Sequence, residues 1–150
     1  MVDQGRFIEL MGQHLEEEGM PRIAGRLMGA LLLSPEPLSL DELAERLGVS
    51  KASVSSNARL LETHGIAMKI TLPGDRRDYY QISPDAEERS LSRQLQRHQL
   101  LLQRLEVGRA AAEQAGDEGV SKRFESLMGF VRRVVEHLEE AIYARKEGNR

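Results

Sequence analysis

Apolar residues recur along this chain with two different periods, and the points where the period changes divide it into elements. Over residues 3–18, Phe7, Ile8, Met11 and Leu15 recur at helical spacing between polar side chains, the pattern of an amphipathic helix. Glu16-Glu17-Glu18-Gly19 closes it. Acidic groups are unfavourable at the negative end of a helix, so this end is expected either to fray or to lie against a basic neighbour. Pro21 suits the first turn of a second helix running to about Leu33. That helix is apolar through Ile23, Leu27, Met28, Leu31 and Leu32, so burial on most sides is expected, and Ser34-Pro35-Glu36-Pro37 breaks it.

The stretch from Ser39 to His64 holds two short helical patterns around Gly48-Val49-Ser50. Ser39 and Glu42 have the spacing of a capping box. Leu40, Leu43, Ala44 and Leu47 share one face, and Gly48 can take the left-handed conformation that stops the helix. Ser50 caps the second helix, whose inward face is Val54, Ala58 and Leu61. Small Ala44 at the crossing, Gly48 at the sharp turn and Val54 as the lock give the spacing of a helix-turn-helix.

After Gly65 the period drops to two. Ile66, Met68, Ile70 and Leu72 alternate with Ala67, Lys69 and Thr71, which predicts a half-buried strand with the first set inward. Leu72-Pro73-Gly74-Asp75 reads as a turn, and Arg77–Ile82 as a return strand with Tyr80 and Ile82 on its inner face. A hairpin directly after a helix-turn-helix is a wing, here with Arg76 and Arg77 at its tip. Ser83-Pro84 then opens a long helix over 85–107 through Leu91, Leu95, His98, Leu102 and Leu105. Gly108 and Gly116 to Gly119 mark its break. A last helix over 120–145 carries Phe124, Leu127, Met128, Val131, Val134, Val135, Leu138 and Ile142. Gly148-Asn149-Arg150 is expected to be disordered.

The fold class expected is mainly α with a small β-hairpin wing: a winged helix-turn-helix over 21–83, then a C-terminal helical dimerisation region over 84–150, with helix 3–18 packing against it. The two long helices have apolar stripes that need a partner surface, and a second copy of the chain is the economical one. Leu95, Leu102, Phe124, Leu127, Val131, Val134 and Leu138 are the expected interface.

Composition narrows the function. The absence of cysteine excludes disulfides, thiolate zinc sites and cysteine nucleophiles, and is compatible with a reducing interior. The polar start and the short apolar run Leu27–Leu33 offer neither a signal peptide nor a membrane span, so a cytoplasmic protein is expected. His14, His64, His98 and His137 form no metal-ligand spacing, and no phosphate loop, dinucleotide fingerprint or nucleophile elbow is present. No catalytic set and no cofactor are expected. The net charge of −3 does not favour a polyanionic partner. Between Lys51 and Arg77, however, five cations face two carboxylates, a local charge of +3, and local charge decides where a polyanion docks.

Several features together resemble the winged-helix core of MarR-type transcriptional regulators, and more closely the GbsR-like branch. They are Pro21-Arg22 with Gly25-Arg26, the SPEPLS segment, Ser50-Lys51, Val54-Ser55, and Gly74-Asp75-Arg76-Arg77 before Tyr79-Tyr80. The resemblance covers about residues 20–83. Asp75 and Arg77 match the family's Asp-x-Arg, while Ile82-Ser83 stand one residue early for its Leu-Thr. The resemblance implies a dimeric regulator of double-stranded DNA, with the terminal helices forming the interface. It also implies betaine or choline as one possible small-molecule effector. A quaternary ammonium usually needs an aromatic cage. Phe7, Phe124, Phe130 and Tyr143 each sit on an apolar stripe and are expected in the core, so no effector is assigned.

The helix over 50–64 would lie in the major groove and the wing over 66–82 at the minor groove. Opposite Val54 the helix carries Ala52, Ser53, Ser56, Arg59 and Leu60. Serines can contact base edges or phosphates, and alanine a thymine methyl. Lys51 near the helix start would meet phosphate rather than bases, and Ser50, Ser55 and Lys69 are also expected to be DNA-binding. Arg76 and Arg77 suit a narrow minor groove, or a salt bridge with Asp75 or Asp78. The competing reading of the whole is a winged helix used for protein–protein contact, without DNA binding.

Overall fold

The structure is a computed structural model that describes residues 3–148; Asn149 and Arg150, expected to be disordered, lie outside the described residues, whereas Gly148 ends the last helix. The elements in order are α1 (Gln4–Glu17), α2 (Arg22–Leu32), β1 (Leu38–Ser39), α3 (Leu40–Leu47), α4 (Lys51–Thr63), β2 (Ala67–Ile70), β3 (Tyr79–Ile82), α5 (Ala86–Gln114) and α6 (Glu118–Gly148). They fall into one compact unit through Glu87 and another from Glu88.

In the first unit α1 packs along α2, and glycines set how closely. A Cβ at Gly25 would stand 2.2 Å from the Met11 carbonyl oxygen, and one at Gly12 would meet Arg26 and Arg22. The backbones therefore touch where an alanine would hold them apart. The basic neighbour expected for the acidic end of α1 is Arg22, 3.2 Å from Glu9 and 3.6 Å from Glu16. Pro21 stands as the N-cap of α2, one residue before the helix proper. The buried face of α2 is Ala24, Leu27, Ala30 and Leu31. Leu32, expected inside, is exposed, because an amphipathic helix cannot turn every leucine inward.

Leu27, Leu43, Val54, Ala58 and Leu61 form the centre of the core and are fully buried. The cap of α3 is as its sequence predicts. Glu42 N–H donates to Ser39 Oγ at 3.2 Å, and Ser39 N–H donates to Glu42 Oε2 at 2.7 Å. Gly48 ends that helix at φ +65°.

The sheet has the order β1-β3-β2, all antiparallel. The sequence gives no alternation to announce the two-residue strand β1, which pairs Leu38 with Tyr80 and Ser39 with Tyr79. The wing's register sets Ala67 opposite Ile82 and Ile70 opposite Tyr79. Residues paired across strands share a face, so Ala67 sits on the side of buried Tyr80. This reverses the facing expected from alternation. Ala67 is buried while Ile66, Met68, Ile70 and Leu72 are only partly covered. The small side chain lies where the strand runs close to α4. Tyr79 is buried too, on the other face.

The second unit is an antiparallel pair of helices. Glu88 near the start of α5 meets Lys146 near the end of α6 at 3.6 Å. Gly108, expected to break the first of them, lies inside α5. A Cβ there would stand 2.5 Å from the Phe124 ring, so this glycine is a notch for an aromatic side chain. Ala110-Ala111-Ala112 carries the helix on, and the break comes at Gly116 with φ +70°. Ser83 Oγ donates to Asp85, so its hydroxyl hydrogen points into the turn ahead of α5.

Candidate nucleic-acid interface

Helix α4 is anchored on one side only. Val54, Ala58 and Leu61 are buried, and Ala52, Ser56 and Arg59 on the other side are exposed. Ser50 Oγ accepts from Ser53 N–H at 3.2 Å and fixes the helix start. The Ser56 hydroxyl donates back to the carbonyls of Ala52 and Ser53, leaving its lone pairs outward. Arg59 donates to Ser55 Oγ at 3.0 Å, one turn back along the same face. Leu60, placed on this outer face by periodicity, is half-buried and packs against the core instead.

The cations of this surface are mostly held. Lys51 Nζ is 3.0 Å from Asp41 on α3, and Lys69 Nζ is 2.9 Å from Asp78. The Asp78 bond raises the Lys69 ammonium above its ordinary range. Arg77 grips Asp75 from Nε, from Nη2 at 2.6 Å and from its own backbone N–H at 2.9 Å. Its guanidinium lies over the Tyr79 ring, 5.3 Å from the centroid, and the Tyr79 hydroxyl also donates to Asp75, at 2.7 Å. These donors, the Arg77 side chain first, hold the Asp75 carboxyl well below the usual carboxylate range. Bonding to that carboxylate keeps the phenol of Tyr79 protonated to higher pH, and burial does the same for Tyr80. Arg76 is exposed and makes no hydrogen bond or ion pair among the described residues.

Sequence reasoning missed two features here. One is the pairing of Lys51 with Asp41, which acidic residues in the first turn of α3 could have suggested. The other is Arg26, noted only as part of a motif. Its Nε lies 2.6 Å from Glu9 on α1, and its Nη2 donates to the Leu47 carbonyl at 3.0 Å. One side chain thus ties α1 and α2 to the turn that positions α4.

The residues expected at a subunit interface separate within the second unit. Leu95, Leu102, Phe124, Val134 and Leu138 are half-buried, and Leu127 is 46% exposed. Val131 is buried within the single chain, together with Met128. Phe130 and Tyr143, expected in the core, are 55% and 66% exposed. Among the described residues no cluster of three or more His, Asp or Glu side chains could hold a metal. No described helix is long and apolar enough to cross a membrane.

Comparison with known proteins agrees with this geometry. Residues 18–78 match the MarR family. The chain is 42% identical over 81 residues to the HTH-type transcriptional regulator MmpR5 of Mycobacterium tuberculosis, covering 53% of this chain and 49% of that protein. It is 33% identical over 82 residues to the putative HTH-type transcriptional regulator YvaV of Bacillus subtilis, covering 55% and 46%. The chain therefore spans about half the length of the curated relatives it matches. A crystal structure of a transcriptional regulator superposes with a TM-score of 0.79 at 29% identity, covering 97% of this chain and 99% of that one. Over residues 18–78 the chain is thus similar to the MarR family, and over about half its length to HTH-type transcriptional regulators.

Proposed function

We propose, taking residues 18–78 as a MarR-family winged helix, that the chain is a DNA-binding transcriptional regulator acting as a homodimer in the cytoplasm. The observation that carries this is the one-sided anchoring of α4, whose exposed outer face is followed directly by a basic wing. A helix held this way is free to enter a major groove of about 12 Å. Lys51, Ala52, Ser53, Ser56 and Arg59 would meet bases and phosphates there. Ser50, Ser55 and Lys69 would contact the backbone, and Arg76 and Arg77 belong to the wing at the minor groove.

Residues 21–83 form the DNA-binding domain in this reading, and 84–150 the dimerisation region with α1 beside it. Half-covered Leu95, Leu102, Phe124, Val134 and Leu138 and exposed Leu127 supply the apolar surface for a second copy, and Phe130 extends it. Leu10 on α1, half exposed, gives that helix an apolar side chain for the same purpose. Assignment to the GbsR-like branch rests on the combined features of residues 20–83, Pro21-Arg22 with Gly25-Arg26 among them. The close α1–α2 contact gives Gly25 a physical reason. The rival reading, a protein–protein module, draws on the net charge of −3 and on the carboxylates that hold Lys51 and Lys69.

A gel shift with duplex from upstream of the chain's own gene separates the two. At low salt the protein is expected to retard that duplex well above a scrambled control. Equal, weak retardation of both gives the surface to a protein partner.

A further inference from the structure

We infer that Arg76 is the wing side chain that enters the minor groove, and that Arg77 is a positioning residue, locked to Asp75 and Tyr79, that fixes the loop presenting it. The inference rests on the DNA-binding reading and divides the labour within it.

The two arginines are neighbours in sequence and opposites in environment. Arg77 spends its donors on one carboxylate, with distances from 2.6 to 3.1 Å, and stacks on Tyr79. Tyr79 closes the triangle by donating to the same Asp75, and its strand pairs with Ser39, the cap of α3. The brace therefore runs from the wing tip to the helix-turn-helix. Moving the Arg77 side chain onto a phosphate would leave the Asp75 carboxylate beside a polyanion with no cation to offset it, held only by the Arg77 backbone N–H and the Tyr79 hydroxyl. That exchange gains little and adds a repulsion. Lys51 and Lys69 differ: each meets its aspartate through one ammonium at the surface, a pairing worth little that a phosphate can replace.

Arg76 has nothing to give up. Of the five cations between Lys51 and Arg77 it is the one without a hydrogen bond or ion pair among the described residues. It follows Asp75 in the turn closed by the Asp75 N–H to Leu72 carbonyl bond of 3.1 Å, with Gly74 at φ +76°. A free guanidinium on a rigid tip is the form of arginine that a narrow, electronegative minor groove selects.

The test measures binding of operator and scrambled duplexes across a salt series for wild type, Arg76→Ala, Arg77→Ala, Asp75→Asn and Tyr79→Phe. It is repeated on an operator whose A·T pairs under the wing are changed to G·C, which places an amino group in the minor groove. Arg76→Ala is expected to flatten the slope of log affinity against log salt by about 0.9 per subunit. It should also become indifferent to the G·C change. Arg77→Ala is expected to weaken both duplexes by a similar factor, with the wild-type slope and the wild-type sensitivity to G·C. Asp75→Asn should reproduce that loss, and Arg77→Ala with Asp75→Asn together should lose no more than either alone. Tyr79→Phe, which keeps the ring and removes one bond to Asp75, should show a smaller loss with the slope intact. The assignment is overturned if Arg77→Ala flattens the slope and removes the G·C sensitivity while Arg76→Ala leaves both. Wild-type protein that retards no duplex at low salt overturns the DNA-binding reading itself, a result distinct from a swap of roles between the arginines.

Discussion

At the scale of single residues, two glycines with similar surroundings should respond differently to the same change. A methyl at Gly25 would run into the carbonyl of Met11, 2.2 Å away, and backbone cannot step aside. Gly25→Ala is therefore expected to cost about 1–3 kcal/mol or more, from overpacking alone. At Gly108 the obstacle is the Phe124 ring at 2.5 Å, which can turn, and alanine in a helix interior recovers up to about 1 kcal/mol of backbone propensity. Denaturant unfolding of the two variants should show a large loss for the first and a small one for the second; equal losses would refute the distinction. Glu42 makes a pH-dependent contribution. Its bonds to the Ser39 hydroxyl and backbone N–H lower its pKa from 4.5. The stabilisation is thus complete above pH 4.5 and is lost as pH falls through the lower, folded value. Glu42→Ala should be less stable than wild type at neutral pH, and the gap should narrow on acidification below pH 4.5. A gap that widens in acid would reverse the sign of this argument.

At the scale of elements, what could be read from the sequence depended on whether the signal was local. The cap of α3, the Gly48 stop and the buried face of α4 follow from spacing within a few residues, and all three stand in the structure. The inward face of β2 did not follow. Ile66, Met68 and Ile70 outweigh Ala67 in hydrophobicity, yet the register against β3 turns Ala67 inward. Pairing is a property of two strands, and one strand's alternation does not contain it. The same applies to Gly108, whose notch for Phe124 joins positions sixteen apart. In the interface, the cations were legible as types, while the split between held Arg77 and free Arg76 required the fold of the turn. The Ser56 hydroxyl is anchored to the helix's own carbonyls and presents only acceptors outward. Ser56→Ala is accordingly expected to change preference among operator variants, by about 1–3 kcal/mol per discriminated base pair, rather than overall affinity. A competition assay across single-base operator variants would measure it, and an unchanged preference profile would remove Ser56 from the reading surface.

At the scale of the whole molecule, the two units differ in how completely they bury their side chains. The first has a continuous core around Leu27, Leu43, Val54 and Leu61. In the second only Ala112, Met128 and Val131 are buried among the described residues, although its helices are 29 and 31 residues long. Sedimentation at micromolar concentration should show a dimer without DNA, not a 16.9 kDa species. Leu127→Asp should shift it toward monomer, because a carboxylate placed in an apolar contact is costly to desolvate. Val131→Asp strikes a residue already enclosed within one chain. It should lower folding stability directly, so Leu127 is the cleaner probe of pairing.

If the chain pairs as proposed, that unfinished core would make protein concentration a folding variable. Where a helix pair completes its burial against a second copy, mass action enters the melting curve, and the midpoint should climb as the solution is made more concentrated. A newly made chain would hold its DNA-reading half in a finished state before it meets a partner, while its other half would wait. The number of chains in the cell would then set how many paired readers exist, and also how long each solitary chain stays open to proteolysis.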